Sequence, residues 1–201
     1  MTHRRTLYAT LLLAGLPLLF GCENEPFSPQ GGEQITVSGT LSNKTSQALP
    51  SGARVLVAWV VSSGSPDYTY IFGEGTIRAS NNTFTIDFNG PPPARALNSY
   101  GLGVGIILLT TNPSLKEGSD IQGVAESEIV GAAGEYAVIY LDRDPAELGA
   151  NIGWVSRFKQ GYNVGKGIDL PGTFDGFEPV RSSSVQIIID ALRNIKFVNW
   201  T

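Results

Sequence analysis

From Gln34 onward the apolar residues recur at every second position, the period of a strand with one buried face. Ile35, Val37, Gly39 and Leu41 alternate with Thr36, Ser38 and Thr40. In Tyr68–Arg78, Tyr68, Tyr70 and Phe72 alternate with Thr69, Ile71 and Gly73. In Thr83–Phe88, Phe84, Ile86 and Phe88 face one way and Thr83, Thr85 and Asp87 the other. Arg54–Val61 (RVLVAWVV) is apolar on both faces and reads as a central strand with Trp59 in the core. Leu102–Thr111 is a long apolar run broken by Gly103 and Gly105, too short to cross a bilayer. Tyr136–Leu141, Trp154–Phe158 and Val185–Ile189 read as further strands, with a last one near Ile195–Val198. Gly, Pro, Asn and Ser separate these segments, and no segment of useful length has helical period. The pattern predicts an all-β chain: one antiparallel β-sandwich of about eight or nine strands over residues 34–201.

The connections carry their own signals. Asn81-Asn82 marks a turn. Asp144-Pro145-Ala146-Glu147 offers an N-cap, a Pro at the first helical position and an acid two residues on, which predicts a short helical turn. Asn112-Pro113 predicts a similar turn, and Pro91-Pro92-Pro93 a stiff crossing between sheets.

Composition narrows the chemistry. Among 201 residues there is one His, one Cys and one Met. They are His3, Cys22 and Met1, all at the N-terminal end. Downstream of Cys22 the chain therefore has no His–Cys metal site, no Ser-His-Asp triad, no Cys nucleophile, no CxxC pair and no disulfide. The net charge of −4 becomes more negative once Arg4 and Arg5 are removed, which gives no basic face for nucleic acid. Gly is abundant, at 24 residues, as tight turns between strands require.

Residues 1–22 read MTHRRTLYATLLLAGLPLLFGC. Arg4 and Arg5 precede an apolar stretch from Thr6 to Phe20 that is too short to span a membrane and contains Pro17, which predicts a signal peptide over 1–21. Its end, Leu19-Phe20-Gly21-Cys22, resembles the lipobox of bacterial lipoproteins: an aliphatic residue, a variable one, a small one, then Cys. The resemblance implies cleavage after Gly21, lipidation of Cys22 and attachment to a membrane of the cell envelope. Several acyl chains, at roughly 0.8 kcal/mol per buried CH₂, hold such a chain stably. The alternative is an ordinary secretory signal cut at a nearby small residue. Residues 22–33 then form the lipidated Cys and a tether, acidic and rich in Pro and Gly, spanning on the order of 20 Å.

A second resemblance concerns the fold. Gly39–Trp59 (GTLSNKTSQALPSGARVLVAW) looks like the first hairpin of prealbumin-like or carboxypeptidase-regulatory-type sandwiches, with Ser51 inserted before Gly52-Ala53. The chain also resembles uncharacterised bacterial lipoproteins, in which a Pro-Pro loop precedes a Gly-containing apolar strand (Pro91 to Leu109). A Val-x-Tyr-Leu strand (Val138 to Leu141) and a Gly-Tyr-Asn segment (Gly161 to Asn163) follow. These resemblances imply an Ig-like or prealbumin-like sandwich and an envelope location, with no activity attached.

Candidate chemistry is sparse. Ser156-Arg157-Phe158-Lys159 matches S-x-x-K, but that chemistry needs a helix, and the segment reads as a strand. Gly101, Gly103 and Gly105 and the run Gly161–Gly167 lack the spacing of phosphate loops and read as strand or turn glycines. Asp142, Asp144 and Glu147 are a weak calcium candidate; a strand end and a capped turn already explain them. Glu117, Asp120, Glu126 and Glu128 read as a solvated loop. Glu74 and Asp87 are the carboxylates a glycan hydrolase would pair. Tyr68, Tyr70, Trp154, Tyr162 and Trp200 are candidates for stacking on a sugar, set against a place in the core. The expectation is a non-catalytic binding, adhesion or envelope-structural module. It needs no cofactor and binds no nucleic acid; its partners are the membrane and an envelope protein or glycan. A carbohydrate-binding module and a carboxylate-based hydrolase are the alternatives.

Overall fold

The computed structural model describes residues 31–61, 68–121, 128–148, 153–167 and 176–189, the side chains of Val61 and Tyr68 excepted. The signal segment, Gly21, Cys22, Trp200, Glu126 and the strand expected near Ile195–Val198 lie outside them.

Nine strands are present among these residues. They are β1 (Ile35–Asn43), β2 (Arg54–Val61), β3 (Tyr68–Arg78), β4 (Thr83–Phe88), β5 (Leu102–Thr110), β6 (Ile129–Leu141), β7 (Gly161–Lys166), β8 (Glu178–Val180) and β9 (Val185–Ile189). They form one sheet in the order β5-β2-β3-β4-β1-β9-β6-β7-β8, and a further pairing of β5 with β6 closes it. The result is a seven-strand, barrel-like β-sandwich, with β7 and β8 extending outward from β6.

The chain is all-β as the period predicts, and the differences lie in particular segments. One pair, β1 with β9, is parallel rather than antiparallel. β1 and β2 do not pair with each other, so Gly39–Trp59 is a crossover and not a hairpin. Trp154–Phe158 is not a strand: Gly153–Arg157 forms a 3-10 turn that buries Val155. β7 and β8 are strands that alternation does not announce, and β6 starts at Ile129, ahead of the expected Tyr136. The turn Pro145–Glu147 forms as its cap predicts, with Asp144 Oδ1 accepting from the Ala146 N–H at 2.8 Å. Asn112 closes a turn onto the Ser114 N–H. Asn82 takes φ 52° in the β3–β4 turn, a left-handed geometry that Asn tolerates.

Strands apolar on both faces are covered on both faces. Val55, Val57 and Trp59 of β2 point into the interior cluster with Ile107, Leu109, Phe84, Ile86, Phe88, Val138, Tyr140 and Tyr162. Leu56 and Ala58 point outward into a second cluster with Ile71, Leu108, Leu115, Ile121 and Ile129, beneath the loop that follows β5. Ala137, Ile139 and Leu141 of β6 meet Leu148, Val155, Phe158 and Phe177 in a third. Trp59 organises the interior. Its Nε1 donates to the Phe72 carbonyl at 2.7 Å, and its ring lies over Gly103 and Gly105, where side chains would collide with it or with Val57. Burying an indole removes roughly 200 Å² from water, worth roughly 5 kcal/mol.

β6 is the branch point. Ile107 of β5 stands opposite the whole stretch Ala133 to Tyr136, a wide bulge between the Leu108–Ala132 and Ile106–Ala137 pairs. The bulge lets the first part of β6 reach β9 at Ala132–Ile188, while Tyr136–Leu141 pairs with β7. Pro91–Pro93 leads from β4 into a 3-10 turn at Ala94–Ala96. The chain then re-enters the sheet as β5 beside β2, after passing the end of β3.

Candidate functional site

The ring is incomplete along one line, and the reason is local. β1 pairs with β4 from Ile35–Phe88 to Thr40–Thr83, but on its other edge the ladder to β9 begins only at Gly39–Val185. Gly39 permits that contact, because a Cβ there would strike the Val185 carbonyl. Upstream of Gly39 the Ser38 N–H donates to the Ser182 carbonyl at 2.8 Å, and a cleft of about 360 Å³ opens between β1 and β7. Gly31, Gln34, Ile35, Thr36, Tyr162 and Ser182 line it. The lining is neutral and mixed in polarity.

The β7 side of this seam is built by Gly161-Tyr162-Asn163. Gly161 has φ 87°, and a Cβ there would overlap Gly32. The Tyr162 N–H donates to the Gly32 carbonyl. Asn163 is buried, and its side chain holds the bend before β7: Nδ2 donates to the carbonyls of Lys159 (2.7 Å) and Gly161 (3.0 Å), and Oδ1 accepts from the Lys159 N–H (3.3 Å). Gly31 and Gly32, read from sequence as the end of a free tether, are therefore laid on the domain.

Tyr162 points into the core. Its ring lies 4.8 Å from Phe88, 4.7 Å from Tyr140 and 6.3 Å from Trp59. Its hydroxyl is buried and meets no hydrogen-bond partner among the described residues. Burial pushes its pKa above the usual tyrosine range, with Tyr140 and Glu117 adding to the shift. Tyr140 is raised in the same direction by burial, then by Glu33 and Asp142.

The β4–β5 and β6–β7 connections meet at the same end of the barrel as Gly31. The Asp142 N–H donates to the Gly101 carbonyl at 3.0 Å, and Gln160 Nε2 donates to the Asp142 carbonyl at 3.0 Å. Gly31 in turn packs against Lys159 and Gln160. Next to Gly101, Tyr100 is 57% exposed, the exposed large hydrophobic residue of the described set.

The residues singled out from sequence fall in separate places. Tyr70 is buried beneath the Arg95 guanidinium, which lies 3.8 Å above its ring and donates to its hydroxyl. Trp154 packs edge-on against Phe158 and Phe177 in the outer cluster. Tyr162 is in the interior, and the Tyr68 side chain lies outside the described residues. These aromatics share no common face. Asp142 is forked by the Arg143 guanidinium (2.8 and 3.2 Å), Asp144 caps its turn, and Glu147 sits exposed within it. Among the described residues no group of three or more His, Cys, Asp or Glu could hold a metal ion.

Glu74 is paired with Arg54 at 2.8 Å, and Arg54 also donates to the Leu115 carbonyl at 2.7 Å. Asp87 accepts from Thr36 Oγ1 at 2.6 Å. Glu128 accepts from Asn112 Nδ2, Glu117 is exposed, and Asp120 bridges to Tyr70 of β3. Ser156 lies in a turn and not in a strand, and its hydroxyl donates back to the Gly153 carbonyl at 2.8 Å. From sequence, Gly31 and Gly32 read as tether and Gly161 as a strand or turn glycine, and no pattern joins them with Asn163 into one seam. The Gly-Gly pair and the Gly-Tyr-Asn segment were the available signals.

Comparison with protein families, with curated proteins and with solved structures gave no match.

Proposed function

We propose that the chain is a bacterial lipoprotein, cut after Gly21, lipidated at Cys22 and held at a membrane of the cell envelope. It displays one non-catalytic β-sandwich that serves as a binding, adhesion or envelope-structural module. The observation that carries this reading is the position of the single Cys, at the end of Leu19-Phe20-Gly21-Cys22 and directly after an apolar segment with Arg4 and Arg5 ahead of it. The non-catalytic part rests on the missing His and Cys beyond Cys22, and on Glu74 and Asp87 each being engaged by a neighbour. We place the domain with prealbumin-like or carboxypeptidase-regulatory-type sandwiches on the sequence resemblance of Gly39–Trp59 alone, since β1 and β2 do not form the hairpin that the resemblance implies.

The test is metabolic labelling of the full chain with palmitate, together with sedimentation of membranes. The wild type is expected to take up label and to pellet. Cys22→Ser is expected to lose the label and to stay unprocessed or be released. Unchanged labelling and pelleting in Cys22→Ser would overturn the reading.

A further inference from the structure

We infer that Asn89 is a site of spontaneous covalent modification. In the folded chain its side chain closes onto the Gly90 nitrogen, loses ammonia and opens to aspartate or isoaspartate. The chain has a single Asn-Gly step, Asn89-Gly90. A side-chain amide offers an electrophilic carbon, and the next backbone nitrogen is the nucleophile closest to it. A side chain on that next residue shields the nitrogen, and glycine has no Cβ to do so.

The fold leaves this step open at Asn89. β4 ends at Phe88, which pairs with Ile35, so the ladder stops one residue short of it. Asn89 is exposed. Neither its side chain nor the Gly90 N–H meets a hydrogen-bond partner among the described residues. A Cβ at Gly90 would meet nothing within 4 Å, so the space a ring needs is free. The other described asparagines are protected. Asn98 precedes the small Ser99, but its Oδ1 accepts from the N–H groups of Tyr100 and Leu102, at 2.9 and 3.1 Å. Asn43 is tied at both amide atoms, to the Gln47 carbonyl and the Thr45 N–H. Asn163 is buried and bonded to Lys159 and Gly161. Asn81 accepts from Thr83 Oγ1, and Asn82 precedes that β-branched threonine. Asn112 precedes Pro113, which has no N–H to lose.

The reaction needs only water and base. Base takes the Gly90 N–H proton, and the nitrogen bonds to Asn89 Cγ. The bond from Cγ to the amide nitrogen breaks, and ammonia leaves with a proton. Water then opens the cyclic imide at either carbonyl. One opening gives aspartate; the other gives isoaspartate, whose main chain runs through Cβ and Cγ. Both add a negative charge. Isoaspartate also lengthens the main chain by a methylene, at the point where it leaves β4 for Pro91–Pro93.

The test ages the full chain in mildly alkaline buffer beside its Gly90→Ala variant. Alanine fits at position 90, because its Cβ has open space and the backbone there has no positive φ. Peptide mapping by mass spectrometry reads which asparagine has exchanged NH₂ for OH, and chromatography separates aspartate from isoaspartate. The expected result is a mixture of both products at Asn89, formed several-fold faster than any change at Asn98 or Asn43, and several-fold slowing in Gly90→Ala. Conversion at Asn89 no faster than at Asn98, or an unchanged rate in Gly90→Ala, overturns the inference. Aspartate without isoaspartate would mean direct hydrolysis and overturns the ring. Circular dichroism confirms that the aged sample is folded; conversion seen only in denaturant also overturns the inference. The wild-type comparison of Asn89 with Asn98 decides alone if the variant does not fold. The readout is independent of the lipid anchor and is the same in Cys22→Ser.

Discussion

The β2–β5 flank and the β1–β7 seam belong to one ring and are built on opposite terms. On the flank the ladder runs unbroken from Arg54–Thr110 to Val60–Val104, and apolar side chains cover both faces. At the seam the ladder to β9 stops at Gly39, a cleft follows, and glycines and one buried asparagine shape the contact with residues 31 and 32. The flank is held by area removed from water, which is tolerant of detail. The seam is held by close approaches that only glycine allows, so single atoms matter there.

The largest expected effect breaks the side held by burial. Trp59→Ala removes the ring that fills the space above Gly103 and Gly105 and leaves a void in the interior. The expected loss is about 3–5 kcal/mol in denaturant unfolding. A loss under about 1 kcal/mol would show that the interior repacks and that the flank is not held by Trp59.

Gly161→Val tests the seam. It demands φ 87° of a β-branched residue and places its Cβ on Gly32. The cost is expected at about 1–3 kcal/mol from backbone strain. Residues 31–33 should also be released, seen as faster limited proteolysis N-terminal to β1. Stability lost without any change in proteolysis would mean that the seam is only strained and does not hold Gly32.

Tyr162→Phe sharpens the comparison by its sign. Removing a buried hydroxyl that meets no partner among the described residues is expected to stabilise the domain by about 1 kcal/mol. The pH dependence follows from the raised native pKa of Tyr162, whose main cause is burial. Its contribution is intact below the unfolded-state value near 10 and is lost as pH rises through the native value. The wild type should therefore lose stability above about pH 10, and Tyr162→Phe should lose less. Destabilisation by Tyr162→Phe at neutral pH would mean that the hydroxyl has a partner.

Glu74→Gln is expected to be the smallest change, about 0–1 kcal/mol, because the Arg54–Glu74 pair is partly solvated. Arg54 keeps its bonds to the Leu115 and Asn112 carbonyls in that variant. A thermal shift too large for a surface pair would mark the pair as a structural clamp on the loop after β5.

The same contrast explains what could be read in advance. β2, β3, β4 and β9 appear at the bounds their patterns predict, because burying one face imposes period two and burying both imposes an apolar run. β7 escaped because Gly-Tyr-Asn-Val-Gly-Lys places two glycines and an asparagine at buried positions. The 3-10 turn at Gly153–Arg157 reads as a strand in the sequence because Trp154, Val155 and Phe158 are apolar, although Val155 and Phe158 are three apart, which suits one face of a turn. The seam combines residues 31–36, 161–163 and 182, and no local pattern in the chain joins them. The Asp144 cap was legible because all of its chemistry lies within three residues.

The parallel pairing of β1 with β9 also bears on how the domain comes to exist. It joins strands from near the two ends of the described chain, and no hairpin can make that contact early. Ring closure is a long-range event, and contacts of this kind form slowly. The partner that β1 needs at Gly39 is Val185, far along the chain. The hairpins β2–β3 and β3–β4 can assemble first, and the ring is sealed last. A truncation before Val185 is thus expected to leave an open sheet with an exposed β1 edge, the kind of edge that invites aggregation.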